Sequence, residues 1–216
     1  MKQHYTQNEY KELLKYMRIV CQTNEQENGH ILDWFDEKGI EYINRSIPEG
    51  DYNVMIKACP ELGFLKDTYF YDELFIERKN SLQELASSLY GQKKTPAYAK
   101  KVIEEFKNEK IVSGLKLAKI AKEFKSQFDI YDDAFLRELK RAVNKEHKYL
   151  LVEQPSGWNG ILTHDYPNDY NIKSYWAMLH SIELKYGLKV KFISKENSAL
   201  EIYTICKCFI DSKIDK

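Results

Sequence analysis

The chain has no long apolar run, no zinc-type grouping of cysteines with histidines, and no net charge. No stretch approaches the about 18 apolar residues that span a bilayer, and residues 1–6 lack the apolar core of a secretory signal. We therefore expect a cytoplasmic protein that is not a membrane protein. The four cysteines and five histidines do not follow a zinc-ligand spacing. This pattern predicts reduced thiols and argues against a disulfide framework.

Internal repeats and low-complexity tracts are also absent, so the 216 residues fit one domain with additions. We expect an N-terminal helical extension over residues 1–16 and a helical insertion over residues 91–130. The remaining order of strand-like and helix-like segments predicts an α/β fold, with one central mixed β-sheet flanked by helices.

The zero net charge conceals an uneven distribution along the chain. Residues 1–90 carry 10 basic and 16 acidic side chains, residues 91–150 carry 15 and 9, and residues 151–216 carry 8 and 8. Phosphate contacts from lysine and arginine supply most sequence-independent DNA affinity. The basic middle third is therefore a candidate DNA-binding region, although a solvated lysine-rich helix face explains the same pattern. The candidate contacts on its predicted helices are Lys116, Lys119 and Lys122.

The most informative residues are Gly50-Asp51-Tyr52 and, about one hairpin later, Glu77-Arg78-Lys79. Side chains alternate faces along a strand, so Glu77 and Lys79 point one way and Arg78 points the other. If the strand that begins near Asp51 pairs with the strand that ends at Lys79, then Asp51, Glu77 and Lys79 form one cluster.

Such a cluster suits the hydrolysis of a phosphodiester bond. Two carboxylates, Asp51 and Glu77, are ligands for Mg²⁺ or Mn²⁺, which prefer oxygen atoms. The ammonium of Lys79 can hold the attacking hydroxide or the scissile phosphate, and Arg78 is either a structural anchor or a phosphate contact. The alternative is an ordinary solvated Glu-Arg-Lys segment beside a common Gly-Asp turn. Burial favours the catalytic interpretation, because charged residues on an apolar strand are costly without partners.

The same residues resemble the XPF-type nuclease domain, a branch of the PD-(D/E)XK nucleases. The resemblance covers roughly residues 17–90 and 131–211, and it is closest to stand-alone prokaryotic and phage versions that lack a tandem helix-hairpin-helix domain. It implies a restriction-endonuclease-like fold, a Mg²⁺ or Mn²⁺ cofactor, and branched or flap-like DNA as substrate. The segments that carry it run from Ile47 to Tyr52, Phe75 to Leu85, Phe135 to Leu139, and Tyr149 to Glu153, with residues 174–209 following the family order.

Two departures from the family pattern affect the predicted site. Where the family has an Asp-x-Arg-Glu ending to its first strand, this chain has Gln22-Thr23-Asn24-Glu25, so only Glu25 remains. Gln83 stands at the place of a family aspartate, and Glu84 is the nearest carboxylate. We expect weaker metal affinity than in the family, with Glu25, Gln22 and Glu84 as possible auxiliary residues.

The resemblance also implies contacts with DNA and with a second copy of the chain. A family arginine lies near the active-site cleft, so Arg137 is a candidate phosphate contact, and Arg141 lies on the same helix face four residues on. An ion pair of Arg137 with Asp133 or Glu138 is the alternative. Family nuclease domains pair through their last helices, here roughly residues 171–211. A homodimer is therefore predicted, with an apparent surplus of apolar side chains at Tyr203, Ile205, Phe209 and Ile210.

Three local patterns complete the prediction. Residues 41–47 and 52–57 are expected to be strands joined by a turn at 48–50, and residues 155–160 are expected to be a loop. An aromatic segment over residues 58–73 either stacks on unpaired bases or closes a small core. Its aromatic residues are Phe64, Tyr69, Phe70 and Tyr71.

Three functions remain open from the sequence. The favoured one is a metal-dependent DNA endonuclease. The second is a weakened or inactive nuclease-fold protein that binds DNA, because Gln22 and Gln83 replace charged family positions. The third is a regulatory or anti-defence protein that binds another nuclease through its helical insertion.

Overall fold

The computed structural model describes residues 4–25, 27–90, 134–167 and 169–214. The predicted insertion at 91–130 lies outside these residues. The described strands are β1 (Met17–Cys21), β2 (Tyr42–Asn44), β3 (Tyr52–Ile56), β4 (Thr68–Tyr69), β5 (Leu74–Lys79), β6 (His147–Glu153) and β7 (Lys189–Ile193). The described α-helices are α1 (Gln7–Leu14), α2 (Gly29–Lys38), α3 (Leu82–Tyr90), α4 (Ala134–Arg141), α5 (Gly157–Leu162), α6 (Ile172–Tyr186) and α7 (Ser198–Lys213).

The strands form one mixed sheet in the order β2-β1-β3-β5-β6-β7, with β4 paired to β3. β3 is antiparallel to both β1 and β5, whereas β5, β6 and β7 run parallel. The register places Tyr52 opposite Ile76 and Ile76 opposite Tyr149. The predicted α/β fold with a central mixed sheet and flanking helices is confirmed.

Helices cover both faces of the sheet and divide the core in two. On one face, α1, α2 and α7 bury residues such as Leu13, Phe35 and Phe209 against β1 and β3. On the other face, α3 to α6 bury residues such as Leu85, Leu139 and Tyr175 against β5 and β6. β5 lies between the two cores, so its side chains face one or the other in alternation.

Several helix boundaries follow local sequence signals. Thr6 and Glu9 form a reciprocal capping box that starts α1. Gly39 ends α2 in the left-handed conformation, with φ of 65°. The Ser81 hydroxyl accepts the amide of Glu84 at 3.1 Å, as a serine cap does at the start of a helix.

The predicted pairing of residues 41–47 with residues 52–57 is wrong. β2 is shorter than expected and lies parallel to β1, while β3 occupies the other side of β1. The reason is α2, which connects β1 to β2 as a crossover and so makes the two strands parallel. β3 then pairs with the free edge of β1.

The predicted loop at 155–160 is also wrong, because α5 begins at Gly157. Gly157 has a φ of 53°, and a Cβ there would lie 3.3 Å from the Phe192 side chain. Glycine therefore allows the chain to bend tightly into a helix after β6. Trp158 then packs against Phe192 and Trp176, with ring centroids 5.4 and 4.7 Å away.

The surplus of apolar residues that suggested a dimer is not observed. Ile205, Phe209 and Ile210 are 6%, 4% and 1% exposed, and Tyr203 packs against the same core. One chain buries these three isoleucine and phenylalanine side chains and part of Tyr203. The homodimer therefore stays a prediction that rests on the family resemblance.

The aromatic segment at residues 58–73 divides between core and surface. Phe64 and Phe70 are buried, which fits the small-core alternative rather than base stacking. Tyr69 and Tyr71 are partly exposed and stack on each other with ring centroids 5.1 Å apart.

The cysteines fit the reduced state that the sequence predicts. Cys21, Cys59 and Cys206 are buried and Cys208 is exposed, and all four are free thiols. No helix within the described ranges combines the length and the apolar character needed to cross a bilayer.

Candidate active site

Asp51 lies at the start of β3 and is held there by the neighbouring strand β5. Gly50 precedes it with a φ of 88°, and a Cβ at Gly50 would lie 2.9 Å from the Ile76 carbonyl oxygen. The Asp51 amide donates to that same carbonyl at 2.8 Å. One oxygen of the Asp51 carboxylate, Oδ2, accepts the Arg78 amide at 2.8 Å. The close approach that glycine permits therefore places this carboxylate at the end of β5.

Glu77 and Lys79 extend from the same face of β5. The Lys79 Nζ lies 2.6 Å from Glu77 Oε1 and 3.5 Å from Glu84 Oε1. The Glu77 side chain is 5% exposed and the Lys79 side chain 11%, and Phe135 of α4 packs over the ammonium at 5.1 Å. Lys79 and Glu77 are therefore in contact, and Asp51 is near enough for its charge to act on both. Their roles in catalysis and metal binding stay predictions.

The charges of this cluster are only partly compensated by the protein. Burial raises the pKa of Asp51 to about 7, against the opposing influence of Lys79 and of the Arg78 amide. Burial and the nearby Asp51 carboxylate raise the pKa of Glu77 well above its usual value. Burial acts to lower the pKa of Lys79, but the Glu77 and Asp51 carboxylates outweigh it and raise it. Glu77 Oε2 is buried without a hydrogen-bond partner.

Arg78 points to the opposite face of β5, as the period of the strand predicts. Its guanidinium pairs with Glu25, and its Nη1 lies 3.0 Å from Glu153 Oε2. The other Glu153 oxygen lies 2.8 Å from His30 Nε2. The Arg78 side chain is 3% exposed and the Glu153 side chain 2%. Of its two predicted roles, the geometry supports the structural anchor, which ties the loop before α2 to the sheet.

The auxiliary residues predicted from the sequence lie in different settings. Glu25 belongs to the Arg78 cluster rather than to the Asp51 cluster. Gln22 donates to the Ile47 carbonyl at 2.9 Å and so supports the chain before the Gly50 turn. Glu84 borders Lys79 and accepts the Asn80 amide at 2.8 Å. Gln83 donates to Ser87 at 3.4 Å, while its Oε1 is buried without a partner.

Glu138 is a neighbour of the site that the sequence did not single out. Its Oε1 accepts the Gly50 amide at 2.6 Å, although the two residues are 88 positions apart. Its charge also acts on both Asp51 and Glu77, raising the pKa of each. The only sequence signal for Glu138 is its acidic side chain in the predicted helix, where it is one of two candidate ion-pair partners of Arg137.

The candidate DNA contacts are only partly described. Arg137 is exposed on α4. Arg141 is 56% exposed, and its Nε lies 3.4 Å from Glu49 Oε1, next to the Gly50 turn. Lys116, Lys119 and Lys122 lie outside the described residues. Arg141 therefore lies beside the Gly50 turn, and its role as a phosphate contact stays a prediction.

The donor atoms fit a small divalent cation with water completing its coordination. No set of three histidine, cysteine, aspartate or glutamate side chains in the described ranges is grouped as a full ligand set. Asp51 and Glu77 nevertheless bring two carboxylates together, and the unpartnered Glu77 Oε2 is an oxygen that a cation would satisfy. Mg²⁺ commonly binds through one or two carboxylates and keeps several waters.

Solved structures share this fold. The chain aligns with XPF from Aeropyrum pernix at a TM-score of 0.51 and 17% identity, over 89% of this chain and 65% of that one. It aligns with XPF from Aeropyrum pernix in complex with DNA at a TM-score of 0.50 and 16% identity, over 90% and 66% respectively. The fold is that of the XPF nucleases, and the chain spans slightly less than two thirds of their length.

The family follows from the sequence match. The ERCC4 domain model matches residues 22–206, which include the Gly50 turn, β5 and α4. The chain therefore belongs to the ERCC4 domain family. No curated protein matches the chain.

Proposed function

We propose that the chain is a Mg²⁺- or Mn²⁺-dependent DNA endonuclease that hydrolyses phosphodiester bonds at the cluster of Asp51, Glu77 and Lys79. The observation that carries the proposal is the uncompensated charge of that cluster. Two carboxylates are forced together, and one oxygen, Glu77 Oε2, has no partner in the protein. A bound cation would satisfy this oxygen and favour the ionised form of both acids.

Asp51 and Glu77 would hold the cation, and each is fixed by a contact through its other oxygen. The Arg78 amide fixes Oδ2 of Asp51, and Lys79 fixes Oε1 of Glu77. When bound, the divalent ion supplies a water of lowered pKa and neutralises negative charge in the transition state.

Lys79 would act on the phosphate and on the attacking water. Its pKa is raised, so the ammonium remains charged at neutral pH and offers donors to developing negative charge. The position of the Lys79 ammonium is restricted by Phe135, Glu77 and Glu84. A preorganised cation of this kind loses little by reorganisation during the reaction.

The proposed substrate is DNA with a branch or a flap. Support comes from the family and from the similarity to an XPF that was solved in complex with DNA. Arg141 and Arg137 would contact phosphates beside the cleft, together with the basic segment that contains Lys116, Lys119 and Lys122. We also propose a cytoplasmic location and a homodimer that forms through residues 171–211. The homodimer is supported by the resemblance to the XPF-type nuclease domain.

A second candidate is a nuclease-fold module that binds DNA without cleaving it. Gln83 favours it, because this neutral residue stands at a family acid position and is paired only to Ser87. Lys79 also pairs closely with Glu77, which gives the carboxylate an internal counter-charge.

The two candidates are separated by a cleavage panel. Duplex, single-stranded, flap and four-way DNA are incubated with Mg²⁺ or Mn²⁺ and with wild type, Glu77→Ala or Lys79→Ala. Lys191→Ala and Glu201→Ala are matched controls, because these residues also form a lysine–glutamate pair but lie on β7 and α7. We expect cleavage by wild type and both controls only. Binding without cleavage in wild type would favour the non-catalytic module, and equal cleavage by all variants would place the activity elsewhere.

A further inference from the structure

Helix α4 is fastened to the Gly50 turn by contacts on one of its faces. Phe135 packs on Lys79, Glu138 accepts the Gly50 amide, and Arg141 pairs with Glu49 at 3.4 Å. These three helix residues follow one another at intervals of three, which places them on one side of α4. The same helix face therefore reaches both strands that carry the Asp51 cluster.

Glu138 makes the most specific of these contacts. Gly50 is buried, and its amide must find an acceptor inside the protein. A carboxylate acceptor gives a charge-assisted hydrogen bond, which is stronger than a neutral one. Because Gly50 is directly bonded to Asp51, fixing the Gly50 amide fixes the backbone from which the Asp51 carboxylate extends.

Glu138 also adds a negative charge beside Asp51 and Glu77, whereas Glu84, the acid next to Gln83, lies 3.5 Å from Lys79. Gln83 is neutral at the place where the resemblance predicts an aspartate, so Asp51 and Glu77 would hold a cation with one acid fewer. Glu138 reaches the site from a different helix, and its charge is felt by Asp51 and Glu77. No three acids in the described residues form a ligand set. Glu138 can instead influence the site through its hydrogen bond to the Gly50 amide and through the effect of its charge on Asp51 and Glu77.

We propose that Glu138 is a positioning residue of the cation site, which orders the Gly50–Asp51 turn and replaces the charge absent at Gln83. The proposal rests on the proposed function, because it takes Asp51 and Glu77 as the cation ligands. It assigns α4 a role beyond packing, since this helix would set both the place and the charge of the site.

The test separates the hydrogen bond of Glu138 from its charge. Glu138→Gln keeps an acceptor oxygen without the charge, Glu138→Ala removes both, and Glu138→Gln with Gln83→Asp moves the charge to the family position. Glu146→Gln is the matched control, because Glu146 is exposed and pairs with Lys213 away from the site. Mn²⁺ binding is measured by electron paramagnetic resonance, and protection of the Gly50 amide is measured by hydrogen exchange in metal-free protein.

We expect Glu138→Gln to weaken Mn²⁺ binding by about tenfold, the lower end for residues that support metal ligands, with the Gly50 amide still protected. Glu138→Ala should weaken binding and also speed exchange at Gly50. The double variant should recover most of the lost Mn²⁺ affinity, and Glu146→Gln should match wild type in both measurements.

Two results would overturn this proposal alone. One is Mn²⁺ affinity unchanged in Glu138→Gln while Asp51→Asn abolishes it, which would leave the proposed function standing. The other is Gly50 exchange unchanged in Glu138→Ala. A wild type that binds no Mn²⁺ would remove both this proposal and the proposed function.

Discussion

The two faces of β5 hold buried charged residues in different surroundings. On one face, Arg78 is paired with Glu25 and Glu153, and the second Glu153 oxygen is paired with His30. On the other face, Lys79 forms an ion pair with Glu77 Oε1 and lies near Asp51, while Glu77 Oε2 has no hydrogen-bond partner. Adjacent residues of one strand thus belong to two different kinds of cluster.

The difference distinguishes a structural cluster from a functional one. A buried network in which the positive charge faces carboxylates can fix the fold without a ligand, even though Arg78 Nε and Nη1 make no hydrogen bond. A buried cluster that keeps an unsatisfied carboxylate oxygen costs stability, and such sites are enriched where chemistry occurs. Arg78 therefore has the properties of an anchor, and Glu77 those of a ligand.

The largest expected effect comes from neutralising the uncompensated face. Glu77→Gln or Asp51→Asn should reduce DNA cleavage by about a thousandfold or more, because the bound ion contributes several kcal/mol to catalysis. The folded state should be no less stable, since a desolvated carboxylate is replaced by an amide of the same size. Cleavage rates and urea unfolding of metal-free protein measure both. A large loss of stability would mean that the two faces do not differ.

Removing the anchor should produce the reverse pattern. Arg78→Met should destabilise the protein by about 3–5 kcal/mol, because Glu153 would remain buried without its positive partner. Urea unfolding measures the effect, and adding Glu153→Gln should recover part of it. Arg45→Met is the control, since Arg45 is exposed beside Tyr69 and should change stability little. An equally small effect of Arg78→Met would show that the pairs on this face are dispensable.

The pH dependence of stability should differ between wild type and Asp51→Asn. Burial raises the pKa of folded Asp51 to about 7, whereas an unfolded aspartate titrates near about 3.9. The folded state therefore holds more protons between these values, so this group's contribution to stability is lost as the pH rises through them. In EDTA, wild type should lose at least about 1.4 kcal/mol more than Asp51→Asn between about pH 5 and about pH 8. If the free energies of unfolding in urea changed with pH in parallel for the two proteins, the raised pKa of Asp51 would be contradicted.

The smallest effect is expected at the edge of the anchor cluster. His30→Ala should cost about 1 kcal/mol, because it removes one hydrogen bond to Glu153, while Arg78 still pairs with that carboxylate. Thermal unfolding measures the loss, and the DNA cleavage rate should match wild type. A drop in cleavage comparable to that of Glu77→Gln would show that the two faces are coupled.

The parts of the site that follow from short-range pattern could be predicted from the sequence. The period of two along β5 separates Glu77 and Lys79 from Arg78, and the glycine before Asp51 marks a tight turn. The pairing of Asp51 with the end of β5 also follows, because the two segments are close in sequence and apolar.

The parts that depend on distant contacts could not be predicted. Glu138 reaches Gly50 across 88 positions, and the partner of a single acid on a helix is not encoded locally. β2 lies beside β1 because α2 connects the two strands as a crossover. From strand patterns alone, β2 looks like the hairpin partner of β3. The glycines of α5 indicate a loop when the sequence is considered alone. In the structure, Gly157 has a positive φ and bends the chain into a helix.

We propose that one divalent cation binds between Asp51 and Glu77. Anomalous diffraction from crystals soaked in Mn²⁺ would locate it, with Glu77→Gln crystals as the reference. We expect one anomalous peak in wild type within coordination distance of the Asp51 carboxylate and Glu77 Oε2, and no peak there in the variant. A Mn²⁺ peak elsewhere, with Lys79 still paired to Glu77, would show that the cation does not bind at this site.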